Sequence, residues 1–381
     1  MNFSDLELPP VLVQALAAEQ ITVPTPIQSK ALPVLLSGND AYVSAETGTG
    51  KTLAYLLPLF CRIDPALRSL QAIVIVPTHE LALQIQQQAR RLAANAGLPV
   101  RSQVLIGGVS SKRQIDKLKD KPHLVIGSPG RIRELISIKK LKVHTVVCAV
   151  IDEADRLLCG DSLASVSRCI ATLPGQRQLV FVSATDHPDC TSVAAGMAND
   201  LRIINTGGNL INTDISHWYV LCDENQKIEL LRTLVQIIKP ERAIVFVHRN
   251  DRAEQVSTIL SSHNCSVADI HSARDKFSRK KALDSFRAGD THILIASDVM
   301  ARGLDIIGVS HVFNIDPPSQ SKAYLHRAGR TGRAGAPGQA VSIFSKDELH
   351  LLKSYQRDLN ISISQAHIQN GKIVKDSPLN S

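Results

Sequence analysis

Short β-branched apolar runs alternate with longer helical stretches from one end of this chain to the other. In the first half the runs are AYVS (41–44), AIVIVP (72–77), QVLIG (103–107), HLVIGS (123–128), TVVCAVID (145–152) and QLVFVS (178–183), with stretches such as ELALQIQQQARRLAANAG (80–97) between them. That alternation predicts an α/β fold, a mainly parallel sheet covered by helices on both faces. Crossovers are then right-handed and ligands gather at the carboxyl ends of the strands. The pattern pauses at TGGNLINTD (206–214) and resumes with HWYVL (217–221), AIVFVH (243–248), HILIAS (292–297), VSHVFNI (309–315) and QAVSIFS (339–345). The 381 residues exceed one ordinary core, so two domains are expected. The expected boundaries are 1–207 for the first domain, 208–214 for a linker, 215–355 for the second domain and 356–381 for a short polar tail.

Composition narrows the partners. Hydrophobic residues make up 44% and charged residues 20%, which is globular, and aromatics at 4% leave the cores aliphatic. A net charge of +8 suits a polyanion such as nucleic acid, although many basic proteins bind none. The seven cysteines are scattered and form no CxxC pair, which argues against a zinc ribbon and for reduced thiols in a cytoplasmic protein. No apolar run approaches the roughly 20 residues of a membrane span, and the amino terminus lacks a signal sequence.

The strand AYVS runs into AETGTGKTLAYLL. Gly48 and Gly50 let backbone N–H groups turn toward a phosphate, Lys51 brings a cation, and the Thr52 hydroxyl can ligate Mg²⁺. The helix that starts there faces the anion with its amino terminus. Ala45 stands where such loops usually carry their first glycine. A second stretch, CAVIDEAD, begins as a buried strand and ends in clustered acid. Alone, those acids read as solvated or as a metal site. Beside a phosphate loop, Asp152 fits the second Mg²⁺ ligand, and Glu153 fits the group that orients or deprotonates the attacking water.

With AETGTGKT, the letters Asp152-Glu153-Ala154-Asp155 resemble the DEAD-box family of ATP-dependent RNA helicases. Other stretches match in order: PTPIQ (24–28) with Phe3 upstream, PTHELALQ (77–84), Gly107-Gly108, SPGR (128–131), SAT (183–185), FVHRN (246–250), SRKKALDSFRAGD (278–290), ASDVMARGLDI (296–306) and YLHRAGRTGRAG (324–335). The resemblance covers roughly residues 3–345. It implies two RecA-like domains that close on ATP and RNA. The expected activity is RNA-stimulated ATP hydrolysis coupled to local, non-processive separation of RNA duplexes or remodelling of RNA–protein complexes.

The resemblance also implies roles. ATP would meet Gln28, which reads adenine unless it merely caps its helix, then Ala45, Thr47, Gly48, Thr49, Gly50, Lys51, Thr52 and Asp305. Mg²⁺ would meet Thr52 and Asp152. Catalysis would use Lys51, Glu153 and the arginine fingers Arg330 and Arg333. Coupling would use Ser183, Thr185 and His326. RNA, as single strands and short duplexes, would be held by its backbone at Pro77, Thr78, Gly107, Gly108, Ser128, Gly130, Arg131, Arg279, Ser297, Arg302 and Gly303. Two positions depart from the family. Ile21 stands where an aromatic would stack on adenine, and His79 stands where an arginine would add charge. Both changes predict weaker ligand binding. Asp155 is expected to pair structurally, Trp218 to pack in a core, and His187 with Cys190 to be too isolated for a metal. A monomer acting with ribosome-assembly or RNA-decay proteins is the expected setting. Two rivals share the motifs: an ATP-gated RNA clamp that does not unwind, and a DNA-directed helicase, against which the PTPIQ and DEAD spellings argue.

Overall fold

The computed structural model describes residues 2–45, 48–108, 110–184, 188–205, 214–270, 276–297, 308–332 and 336–376, without the side chain of Lys276. The chain divides into two compact units, Met1–Gly208 and Asn209–Ser381.

The first unit is built on seven strands: β1 (Ala41–Ser44), β2 (Ala72–Ile75), β3 (Ser102–Leu105), β4 (Leu124–Gly127), β5 (Cys148–Asp152), β6 (Gln178–Ser183) and β7 (Arg202–Asn205). Their order is β3-β4-β2-β5-β6-β1-β7, and every neighbouring pair is parallel. The inner strands β1, β2, β4, β5 and β6 are buried along their whole length, which is why they read as unbroken apolar runs rather than alternating ones. Alternate residues still go to opposite faces. Val43, Val74, Val150 and Val182 join the core on one side, with the helices Lys51–Arg62 and His79–Asn95. Tyr42, Ile73, Ile151 and Phe181 join the core on the other, with Pro129–Ser137 and Gly160–Ala171. His79–Asn95 shows the sequence logic of these helices. Thr78 caps it by accepting the Leu81 N–H at 3.3 Å, and Ala82, Ile85, Ala89 and Leu92 form its buried stripe.

The second unit repeats the plan with β8 (Ile215–Leu221), β9 (Ala243–Phe246), β10 (Val267–Ile270), β11 (Ile293–Ala296), β12 (His311–Asn314) and β13 (Gly338–Phe344). Its sheet continues into β14 (Ser364–Gln369) and β15 (Lys372–Lys375), in the order β10-β11-β9-β12-β13-β8-β14-β15. Trp218 is 1% exposed in the core, and its indole N–H donates to Gln339 Oε1 at 2.9 Å.

Residues 356–381 were expected to form a short polar tail. The described part instead finishes the helix Leu349–Leu359 and supplies two strands. β14 lies parallel to β8, with Ser364 opposite Trp218, and folds back on β15 through Asn370 and Gly371 at φ 50° and 70°. An edge hairpin needs little apolar sequence. Ala366 is fully buried while the residues beside it stay partly or wholly exposed, so the segment reads as polar.

Candidate functional site

Strand order gathers the expected site of the first unit along one edge of its sheet. The phosphate loop follows β1, Ser183 ends β6, Asp152 ends β5, Pro77-Thr78 follow β2, Ser128 follows β4 and Gly107-Gly108 follow β3. In register, Ser44 lies opposite Ser183, Val182 opposite Asp152, Ile75 opposite Gly127, and Gly127 opposite Leu105. The three strands β1, β6 and β5 therefore carry the expected nucleotide residues, and β2, β4 and β3 the expected RNA residues.

The phosphate loop is held from below. Gly48 and Gly50 have φ of 85° and 86°, in the left-handed region that favours glycine. A Cβ on Gly50 would lie 2.4 Å from Gln28 Nε2, so the loop has no room for a larger residue there. The Gln28 amide donates to the Gly50 carbonyl at 3.0 Å, and its oxygen accepts the Thr25 N–H at 2.9 Å. The Thr25 hydroxyl donates to the Thr49 carbonyl at 2.7 Å. Gln28 is thus a capping residue and a tether of the loop at once, and it is only 1% exposed. Lys51 donates its ammonium to the Ala45 carbonyl, and the Ala45 N–H donates to Ser183 O at 3.2 Å. Phe3, 1% exposed, packs in the core, and Ile21 packs partly buried against the same cluster.

Asp152 is buried at the end of β5. Its Oδ2 accepts the Tyr55 hydroxyl at 2.9 Å and its Oδ1 accepts the Glu153 N–H at 2.8 Å. Burial pushes its carboxyl above the usual carboxylate range, against the pull of Tyr55, the Glu153 N–H and Lys51. Glu153 adopts φ 52°, ψ 49°, a left-handed conformation that costs a non-glycine residue of the order of 1 kcal/mol. Its carboxylate lies 3.8 Å from Arg156.

On the other half of the edge, Gly107, Gly108 and Gly130 have nothing within 4 Å of where a Cβ would stand, so their backbones are open to a close approach. Thr78 and Ser128 occupy the N-cap positions of His79–Asn95 and Pro129–Ser137. Arg131, expected among the phosphate contacts, points inward instead. It is 9% exposed, donates to the Ile106 carbonyl at 3.2 Å, bonds the Ser111 hydroxyl and pairs with Glu134 at 3.0 Å. It shapes the loop that carries the two glycines. Gln114, which the sequence did not mark, holds the same loop. Its amide takes the Ile106 N–H at 3.0 Å and gives to the Ile106 carbonyl at 2.9 Å.

In the second unit, Arg330 is 7% exposed and donates to the His326 carbonyl at 3.2 Å. His326 lies on the helix Ser321–Ala328, Arg279 on Lys276–Ala288, and Ser297 just past β11. Arg327 was also not foreseen. It is 2% exposed, bonds Asn314 Oδ1 at 3.1 Å and the Asp316 carbonyl at 2.7 Å, and lies 4.9 Å over the Phe246 ring. It anchors the helix that precedes Arg330. Thr47, Thr185, His187, Arg302, Gly303, Asp305 and Arg333 lie outside the described residues. Among the described residues no group of three His, Cys, Asp or Glu side chains could hold a metal, and no helix is long and apolar enough to cross a membrane.

Residues 25–192 match the DEAD/DEAH box helicase model and residues 226–335 match the helicase conserved C-terminal domain. The chain is 34% identical over 372 residues to the DEAD-box ATP-dependent RNA helicase CshC of Bacillus cereus, covering 98% of this chain and 95% of that one. It is 36% identical over 351 residues to the probable ATP-dependent RNA helicase YfmL of Bacillus subtilis, covering 92% of each. Among solved structures, S. cerevisiae Dbp5 bound to RNA and ADP BeF3 matches with a TM-score of 0.87 and 29% identity over 95% of each chain. The two mainly parallel sheets are those of RecA-like domains, and the chain belongs to the DEAD-box family of ATP-dependent RNA helicases.

Proposed function

We propose that this helicase separates short RNA duplexes locally, using RNA-stimulated ATP hydrolysis, with the residues on the carboxyl edge of the first sheet as its working parts. The observation that carries the reading is that edge itself. Nucleotide residues at the carboxyl ends of β1, β6 and β5 share one edge of the sheet with Pro77-Thr78 after β2 and the backbone-open Gly130 and Gly107-Gly108 after β4 and β3. The solved relative bound to RNA and ADP BeF3 supports both ligands.

Gly48, Thr49 and Gly50 would cradle phosphates, and Lys51 would exchange its Ala45 carbonyl for phosphate oxygen. The donors available to a cation are one hydroxyl, on Thr52, and one carboxylate, on Asp152, both hard oxygens. That set suits Mg²⁺, which keeps waters and takes its other ligands from phosphate. When bound, Mg²⁺ would supply charge neutralisation at the phosphates. Glu153 would hold the attacking water and accept its proton at the carboxylate. Arg330 and Arg333, the latter outside the described residues, would stabilise charge spread over the transferred phosphoryl group. RNA would be held by its backbone at Pro77, Thr78, Gly107, Gly108, Ser128 and Gly130, with Arg131 shaping the surface rather than touching it. The seven free cysteines support a cytoplasmic setting, and we propose a monomer that works beside ribosome-assembly or RNA-decay proteins.

The test is ATP hydrolysis with and without single-stranded RNA, beside Glu153→Gln. Strong stimulation that this change reduces by ~10²-fold or more supports the coupled reaction. Hydrolysis indifferent to RNA would sink it.

A further inference from the structure

Tyr55 lies three residues after Thr52 on the helix Lys51–Arg62, so the two side chains share one helix face. The phenol is 1% exposed in the core. Its hydroxyl donates to Asp152 Oδ2 at 2.9 Å. Asp152 receives its other donor from the Glu153 N–H at 2.8 Å. A phenylalanine would fill the same space without burying a hydroxyl, and a buried hydroxyl is unfavourable unless it is bonded. Its partner here is Asp152, a residue proposed to hold the cation.

We infer that Tyr55 is a positioning residue of the divalent-cation site, its hydroxyl fixing the plane of the Asp152 carboxylate. The inference rests on the proposed nucleotide site. The torsion that turns a carboxylate about its last bond is soft. With the phenol in place, Asp152 has a donor on each oxygen and one orientation. Without it, the Glu153 N–H alone holds the group, and the carboxylate must be ordered at the moment the cation binds. Partners that orient a ligand in this way are typically worth 10–100-fold in metal affinity.

The full-length chain carrying Tyr55→Phe keeps the ring and loses only the hydroxyl. Mn²⁺, followed by the electron paramagnetic resonance of its free ion, serves as the probe in the presence of ADP. We expect Mn²⁺ to bind the ADP complex about tenfold more weakly than in the wild type, while ADP affinity without a divalent ion stays within about twofold. A purely structural tyrosine would lower the thermal midpoint and leave Mn²⁺ affinity unchanged, and that result overturns the inference. If the wild type itself takes up no Mn²⁺ with ADP, the nucleotide-site reading falls, and the role of Tyr55 falls with it.

Discussion

Replacing Gln28 by alanine tests whether this residue holds the phosphate loop before any nucleotide arrives. The change removes two hydrogen bonds, from the Thr25 N–H at 2.9 Å and to the Gly50 carbonyl at 3.0 Å. Each is worth about 1 kcal/mol net. Losing a buried methylene adds about 0.8 kcal/mol. Thr25 and Gly50 are only partly buried, so water can reach the stranded groups and the total stays near 3 kcal/mol. For a unit of this size that is a fall of about 6–12 °C in its melting midpoint. Scanning calorimetry of the nucleotide-free protein reads it directly. Gln28→Glu sharpens the test, because it keeps the acceptor for Thr25 but sets a carboxylate oxygen against the Gly50 carbonyl. That variant should be destabilised at pH 7 and recover as the carboxyl is protonated on acidification. A nucleotide-free midpoint within about 1 °C of wild type, together with lost preference for adenine, would refute the tether and leave Gln28 as a base reader only.

Other outcomes follow from single positions. A Cβ on Gly127 would lie 2.2 Å from the Leu105 carbonyl oxygen, a backbone atom fixed by strand pairing, so Gly127→Ala should destabilise the first unit by about 3 kcal/mol. Gly130→Ala, with open space around its Cβ, should leave the midpoint within about 1 °C, and denaturant titration of the pair checks both. Burial lowers His217 and His311 to about 4, with Lys375 adding to the effect at His311. A lowered histidine pKa means the unfolded chain takes up protons first as pH falls. The stability is complete above about 6.5 and is lost between there and about 4. Thermal midpoints of the second unit should therefore drop over that window, and His217→Gln with His311→Gln should flatten the slope. A wild-type midpoint indifferent to pH there would contradict the assignment.

The parts legible in the sequence were those that short-range chemistry fixes. β1, β2 and β4 to β6 are buried on both faces, so each is a continuous apolar run. The phosphate loop needs glycine at Gly48 and Gly50, so it announces itself wherever it falls. The residues that were missed, or assigned another duty, act across the fold. Arg131 and Gln114 meet at the Ile106 peptide from two different helices, and nothing in their local spacing says so. Arg327 looks like its neighbour Arg330 as a letter, but it faces Asn314 and Phe246 and serves as an anchor. The edge hairpin β14–β15 was read as a tail because a strand against a sheet edge buries a single face and carries little apolar signal.

Sequence alone determined the periods, the caps and the glycines, because a backbone period, an N-cap and a positive φ depend on residues within a few positions of one another. Only tertiary structure decided which polar side chains turn inward. Whether Arg131 reaches solvent, whether Gln28 is spent on a carbonyl, and whether Tyr55 meets Asp152 depend on strand order. That order brings together residues 22, 25 and 97 positions apart in the chain.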